Sequence, residues 1–144
     1  MSTKEIATYR RRCDTIARDV KQEIEAGSKV ILRFNRNVDP NRVLETIDFC
    51  VKNKKVKITI RHAEFREYVE SAARGAAFGT AIAVAGYVFK ALRAGNPVTL
   101  AMMIAVAGIG ALAGSLVVGG ATQVGSVIIY KYREETCVRL APAA

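Results

Sequence analysis

Apolar positions along the chain follow more than one period, and each period marks a different kind of element. Between residues 3 and 26, Ile6, Tyr9, Cys13, Ile16, Val20 and Ile24 recur at three- and four-residue steps. That spacing predicts one amphipathic helix with a single apolar stripe, stopped by Gly27. From Lys29 to Phe34 the pattern changes to alternation, with Val30, Leu32 and Phe34 on one face, and predicts a strand. Asp39 then offers a helix cap and Pro40 suits the first helical position, where its missing N–H costs nothing. The helix they open is expected to reach Asn53, with Val43, Leu44, Ile47, Cys50 and Val51 along one side. After the turn Asn53-Lys54-Lys55, residues 56–61 alternate again as a second strand. Strand, helix and strand in succession read as a βαβ unit with parallel strands and a right-handed crossover.

The pattern then loses its polar half. His62 opens a helix with Phe65, Val69 and Ala72 opposite Glu64, Glu67 and Glu70, expected to run directly into an uncharged block, Gly75–Phe89. A second uncharged block, Ala94–Tyr130, follows after only Lys90, Ala91, Leu92 and Arg93. The first block, extended to Leu92, makes a helix of about 27 Å, close to the ~30 Å hydrocarbon core of a bilayer. The second would reach about 55 Å as one helix, so a break is expected at Gly119-Gly120, leaving Pro97–Val118 as a span. The pair is expected to form a transmembrane hairpin. Its small residues fall on helical faces, Gly75, Gly79, Ala83 and Gly86 on the first arm and Ala107, Gly110 and Gly114 on the second. Such faces allow close helix–helix approach in lipid. Beyond the break, residues 124–132 and 136–140 are rich in branched and aromatic side chains. They are expected to add a third strand to the N-terminal two, or else to continue the second helix.

Charge sharpens this division. The chain has 144 residues and a formal net charge of +9. Residues 75–130 contain only Lys90 and Arg93 as charged groups. The flanks of the two blocks are more basic than their connection, which places both termini on the cytoplasmic side of a membrane. The opening residues carry neither the basic start nor the apolar run of a cleaved targeting peptide.

Candidate chemistry is sparse. Cys13, Cys50 and Cys137 are scattered without a CxxC pair and read as small buried hydrophobes. His62 is the sole histidine and has no metal-ligand or triad partner by spacing. The run Gly108-x-Gly110-x-x-x-Gly114 misses the dinucleotide fingerprint by one residue and lacks its strand. The loop 35–39 lies where α/β folds bind anions, but Asp39 would repel a phosphate. Candidate anion or headgroup contacts are Arg10, Arg11, Arg12, Arg33, Arg36, Arg42, Lys52, Lys54 and Lys55. No aromatic platform accompanies the lysine cluster, so nucleic acid is not an expected partner. No catalytic residue, metal or cofactor is expected.

Together these features predict an α+β chain with a membrane hairpin. Residues 1–70 form a small basic βαβ-containing domain, 71–123 two glycine-rich transmembrane helices, and 124–144 a strand or helix extension packing on the N-terminal domain. The expected function is that of a non-enzymatic, multi-pass membrane protein, a homo-oligomer forming a pore, channel or scaffold. The lipid bilayer and its anionic headgroups are the expected partners. The sequence also fits two alternatives: a toxin-like chain that folds in water and later inserts its hairpin, and a membrane-tethered module that binds anions or nucleic acid.

Overall fold

The computed structural model describes residues 2–76, 80–108 and 123–143. In chain order the elements are β1 (Thr3–Ala7), α1 (Cys13–Glu25), β2 (Lys29–Arg33), α2 (Pro40–Cys50), β3 (Lys57–Arg61), α3 (Ala63–Gly75), α4 (Thr80–Arg93), β4 (Val98–Thr99), α5 (Leu100–Ala107), β5 (Val124–Tyr132) and β6 (Glu135–Pro142). The strands form one mixed sheet in the order β1-β2-β6-β5-β3-β4. β1, β2, β5 and β3 point the same way, and β6 and β4 oppose them.

Alternation along the strands sends one set of side chains into a single core. Val30, Leu32 and Phe34 from the β2 region, Ile58 from β3, Val127 and Ile129 from β5, and Val138 and Leu140 from β6 are all fully buried there. The helices meet this face with their own stripes, such as Ile16, Val20 and Ile24 of α1 and Val43, Leu44 and Ile47 of α2. α1 packs on α2, α2 on α5, and α5 on α3 and α4, so the five helices make one layer. The molecule therefore has two layers, helices on one side of the sheet and, among the described residues, nothing on the other.

Several sequence-based elements appear where expected. Asp39 caps α2, its Oδ1 accepting from the Asn41 N–H at 2.9 Å, with Pro40 following. β5 and β6 form a hairpin that joins the sheet. They do so by inserting between β2 and β3, so the two strands of the expected βαβ unit are parallel but not adjacent.

The membrane hairpin is overturned. No helix among the described residues is long and apolar enough to cross a membrane. α3 does not run on into the next block, because Ala76 turns extended at ψ 118. α4 has 14 residues and α5 only 8, so they reach about 21 and 12 Å against the ~30 Å required. Pro97 opens no span. Residues 98–99 pair with β3 as β4, and Thr99 then caps α5 through the Met102 N–H. Gly108 ends α5 in the left-handed region at φ 70, which glycine adopts without cost. α5 is apolar because it is core: Leu100, Met103, Ile104 and Val106 are buried against the other helices and the sheet.

The functional reading falls with the spans. A pore, channel or scaffold built from that hairpin, its multi-pass placement with cytoplasmic termini, and its toxin-like or membrane-tethered variants all require two helices long enough to span a bilayer, and the described helices are not. The described part of that region is instead woven into the sheet and core. Gly79, Gly110, Gly114 and the Gly119-Gly120 break lie outside the described residues. The long N-terminal helix is corrected too. Residues 3–7 pair with β2 as a parallel edge strand, and Arg10 at φ 58 separates them from α1. Ile6 and Tyr9 match the helical period by coincidence, Ile6 packing against the core from a strand.

The β5–β6 turn has only two residues, Arg133 at φ 50 and Glu134 at φ 69. Both take left-handed conformations that Asn and Gly hold more cheaply. Replacing Arg133-Glu134 with Asn-Gly is expected to raise unfolding stability by about 1 kcal/mol in urea titrations. Ile129→Ala, emptying a buried site in a central strand, should lower it by roughly 2–5 kcal/mol in the same assay.

Candidate binding face

The open side of the sheet is built by the strand positions that point away from the core. Directly paired residues share a face, so the register gives its composition row by row. One row reads Glu5, Ile31, Arg139, Ile128 and Thr59 from β1 to β3. The next reads Ala7, Arg33, Cys137, Tyr130 and Arg61. Lys29 and Lys57 lie one row below, and Tyr132, opposite Glu135, one row above. None of Ile31, Ile128 and Tyr130 packs against the core cluster. The face thus carries five basic residues, Lys29, Arg33, Lys57, Arg61 and Arg139, against Glu5 and Glu135.

A groove of about 470 Å³ opens on this face, lined by Glu5, Ile31, Arg33, Tyr130, Tyr132, Arg133, Glu135 and Cys137. Tyr130 is half-buried, and Tyr132 is 57% exposed with the Arg133 guanidinium 5.3 Å from its ring centre. The two rings sit two residues apart on one strand, about 7 Å along it. Burial raises the Tyr130 and Cys137 pKa values, in both cases as the leading cause, so both groups stay neutral and protonated near pH 7.

Glu135 organises the rim. It accepts from the Tyr9 hydroxyl and from Arg33 Nη2 at 2.8 Å, and these two hydrogen bonds hold its carboxyl below the usual range. The network ties the β1–α1 loop, the end of β2 and the start of β6 into one wall. Three non-glycine residues of the described chain have positive φ, Arg10, Arg133 and Glu134. Arg10 adjoins Tyr9, and the other two adjoin Glu135, so all three surround this wall. Backbone strain of this kind costs about 1–3 kcal/mol per residue and gathers at functional sites.

The basic residues named from sequence separate into two groups. Arg42 is internal in its bonding: its guanidinium donates to the Thr8 and Arg11 carbonyls at 3.2 and 2.6 Å and pins the β1–α1 loop. Lys54 closes the end of α2, donating to the Asp48 and Val51 carbonyls. Its ammonium also stands 2.6 Å from the buried Asp48 Oδ1, which has no well-directed hydrogen bond and depends on that charge. Arg11 and Arg12 pair with Asp19 and Asp14. Arg10 and Arg36 are exposed at separate places, Lys52 and Lys55 are exposed on the loop between α2 and β3, and of the sequence candidates only Arg33 lies on the open sheet face. Arg61 and Arg139, which complete that face, were missed. Their signal was present in the strand alternation, but the neighbour order that unites them depends on strand insertion. The helix-packing candidates fare differently. A side chain at Gly75 or Gly86 would touch nothing within 4 Å, Ala83 is exposed, and Ala107 is partly buried at the end of α5.

A second hollow lies at the carboxyl ends of β2 and β3, lined by Arg36, Asn37, His62, Glu64, Lys131 and Glu134. Its charges are largely consumed internally, Lys131 lying 2.8 Å from Glu64 and 3.5 Å from Glu134. His62 at its base is a structural cap. Its Nδ1 accepts from the Phe65 N–H, which leaves Nε2 protonated and donating to Thr136 Oγ1 at 3.1 Å. Among the described residues no cluster of His, Cys, Asp and Glu could hold a metal ion.

This fold and site define a two-layer α/β domain with a basic, aromatic sheet face. The chain matches no family model, no curated protein and no solved structure. Its function is therefore read from the chemistry of the face.

Burial lowers the His62 pKa below 6.5. The unfolded chain then takes a proton at higher pH than the folded one, so stability is full above about 6.5 and falls as pH drops toward the lower folded value. His62→Asn, which keeps a capping oxygen, should flatten the stability profile between pH 7 and 5 in denaturant titrations.

Proposed function

We propose that the protein is a non-enzymatic module that binds single-stranded nucleic acid across its open sheet face. The observation that carries this reading is the placement of Tyr130 and Tyr132 on one central strand within a field of Arg33, Arg61, Arg139, Lys29 and Lys57. Unstacked bases lie on aromatic faces, and basic side chains beside them follow the phosphates. A sheet face suits an extended strand because it is broad and regularly spaced. Among the described residues, Lys29, Lys57, Arg61 and Arg139 have no carboxylate within ion-pair distance, so their charge is available to a polyanion. Glu5 and Glu135 give the groove end acceptors for base-edge donors.

Of the lysines clustered around the turn at 53–55, only Lys57 lies on this face. The reading departs from the sequence expectation because the relevant cations come from three different strands, β2, β3 and β6.

The test is fluorescence anisotropy with labelled 12-nucleotide RNA and DNA. Binding should weaken roughly 100-fold between 50 and 200 mM salt if five phosphates are neutralised. Tyr130→Ala and Tyr132→Ala should each cost about 1–3 kcal/mol, and Arg61→Ala with Arg139→Ala should make the salt dependence shallower. Absence of binding at 50 mM salt, or binding indifferent to both tyrosines, overturns the reading.

A further inference from the structure

Four large apolar or aromatic side chains are exposed among the described residues, and two of them, Ile82 at 54% and Tyr87 at 58%, are on α4. The helical period places them on one stripe with Ala83, Gly86, Lys90 and Arg93, all exposed. The stripe is apolar toward its N-terminal end and basic toward its C-terminal end. The sequence has no Asp or Glu from residue 71 to 133, so α4, β4 and α5 bring no carboxylate to this surface. More positive charge lies at the end of the helix layer where α4 gives way to β4 and α5. The Leu100 and Ala101 N–H groups donate to the Val56 and Lys54 carbonyls at 3.0 and 2.9 Å, which seats the loop bearing exposed Lys52 and Lys55 beside the start of α5.

We propose that this α4 surface docks the folded protein onto an anionic lipid membrane, lying on it without crossing it. Ile82 and Tyr87 would enter the headgroup boundary, and Lys90, Arg93, Lys52 and Lys55 would meet lipid phosphates. A helix face with apolar residues and same-sign basic residues is what an interfacial helix requires, and tyrosine suits the boundary because one end is apolar and the other wet. A second copy of this chain is a poor occupant, since the same stripe on the partner brings no carboxylate to pair with Lys90 and Arg93. The stripe lies in the helix layer, on the side of the molecule away from the open sheet face, so the inference is independent of nucleic-acid binding.

The experiment is sedimentation of the full chain with vesicles of phosphatidylcholine alone or mixed 3:1 with phosphatidylglycerol, at 100 mM salt. Co-sedimentation with the mixed vesicles and not the neutral ones is expected. Each basic residue near an anionic surface contributes about fivefold to partition, so Lys90→Ala with Arg93→Ala should weaken it about 25-fold. Ile82→Asp with Tyr87→Asp should abolish it. Circular dichroism unchanged from the parent confirms that these exposed positions alter no folding. Equal binding to neutral vesicles, binding to neither vesicle, or undiminished binding of the folded α4 variants overturns the proposal. So does loss of vesicle binding in Arg61→Ala with Arg139→Ala, which would assign lipid to the sheet face.

Discussion

The insertion of the β5–β6 hairpin between β2 and β3 is the constraint on which the rest of this structure depends. Both central strands come from the last 21 residues of the chain, and each is paired on both edges. Val127, Ile129, Val138 and Leu140 fill the middle of the core, where each buried side chain of this size contributes about 1.5–3 kcal/mol by leaving water. Without them β1-β2 and β3-β4 would be two separate pairs, and two-stranded pieces are marginal in water. The hairpin also joins the two halves of the open sheet face, since Arg139 and Tyr130 bridge Arg33 on one side to Arg61 on the other. Fold and face are assembled by the same strands, late in the sequence and over long chain separations.

That arrangement explains which parts of the molecule were legible beforehand. β2, α2 and β3 were readable because each has local signals: clean alternation, a capping Asp39 with Pro40, a lysine turn. The C-terminal strands were readable from their branched and aromatic residues. Their position in the sheet was not, because strand order is a property of pairing between distant segments and leaves no local trace. The apolar run misled for a related reason. Hydropathy reports that residues avoid water, and it cannot distinguish lipid from a protein interior. In α5 the large apolar residues Leu100, Met103, Ile104 and Val106 are buried, the exposed positions Ala101 and Ala105 are alanines, and the helix ends at Gly108 after eight residues. Single features decided the matter: an extended Ala76 after α3, and two residues, Val98 and Thr99, pairing with β3.

The candidate site was legible only in fragments. Arg33 was noticed as a cation near a loop, and the other members of the face were read as ordinary strand residues. Arg42 and Lys54 looked like surface cations and proved to be bonded to backbone carbonyls, where a positive charge satisfies helix and loop ends. Sequence shows the type of a side chain and its period. Whether its charge is spent inside the fold or available outside depends on neighbours that only the folded chain supplies.

Strain and charge converge at one end of the open face. Arg10, Arg133 and Glu134 hold left-handed conformations that other residues would take more cheaply, and the three flank the Tyr9–Glu135–Arg33 network. A turn selected for stability alone would be expected to carry Asn-Gly there. The Arg133 side chain lines the groove and lies over Tyr132, so the backbone cost places a cation beside an exposed ring. On the opposite layer α4 exposes a second aromatic ring, Tyr87, above Lys90. The two layers thus present chemically related surfaces facing away from each other, one a flat sheet with spaced rings and cations, the other a convex helix with a graded stripe. A flat, hydrogen-bonded sheet matches an extended chain of stacked bases, and a convex stripe matches a soft, laterally mobile boundary. Geometry rather than charge is what separates the two proposed partners.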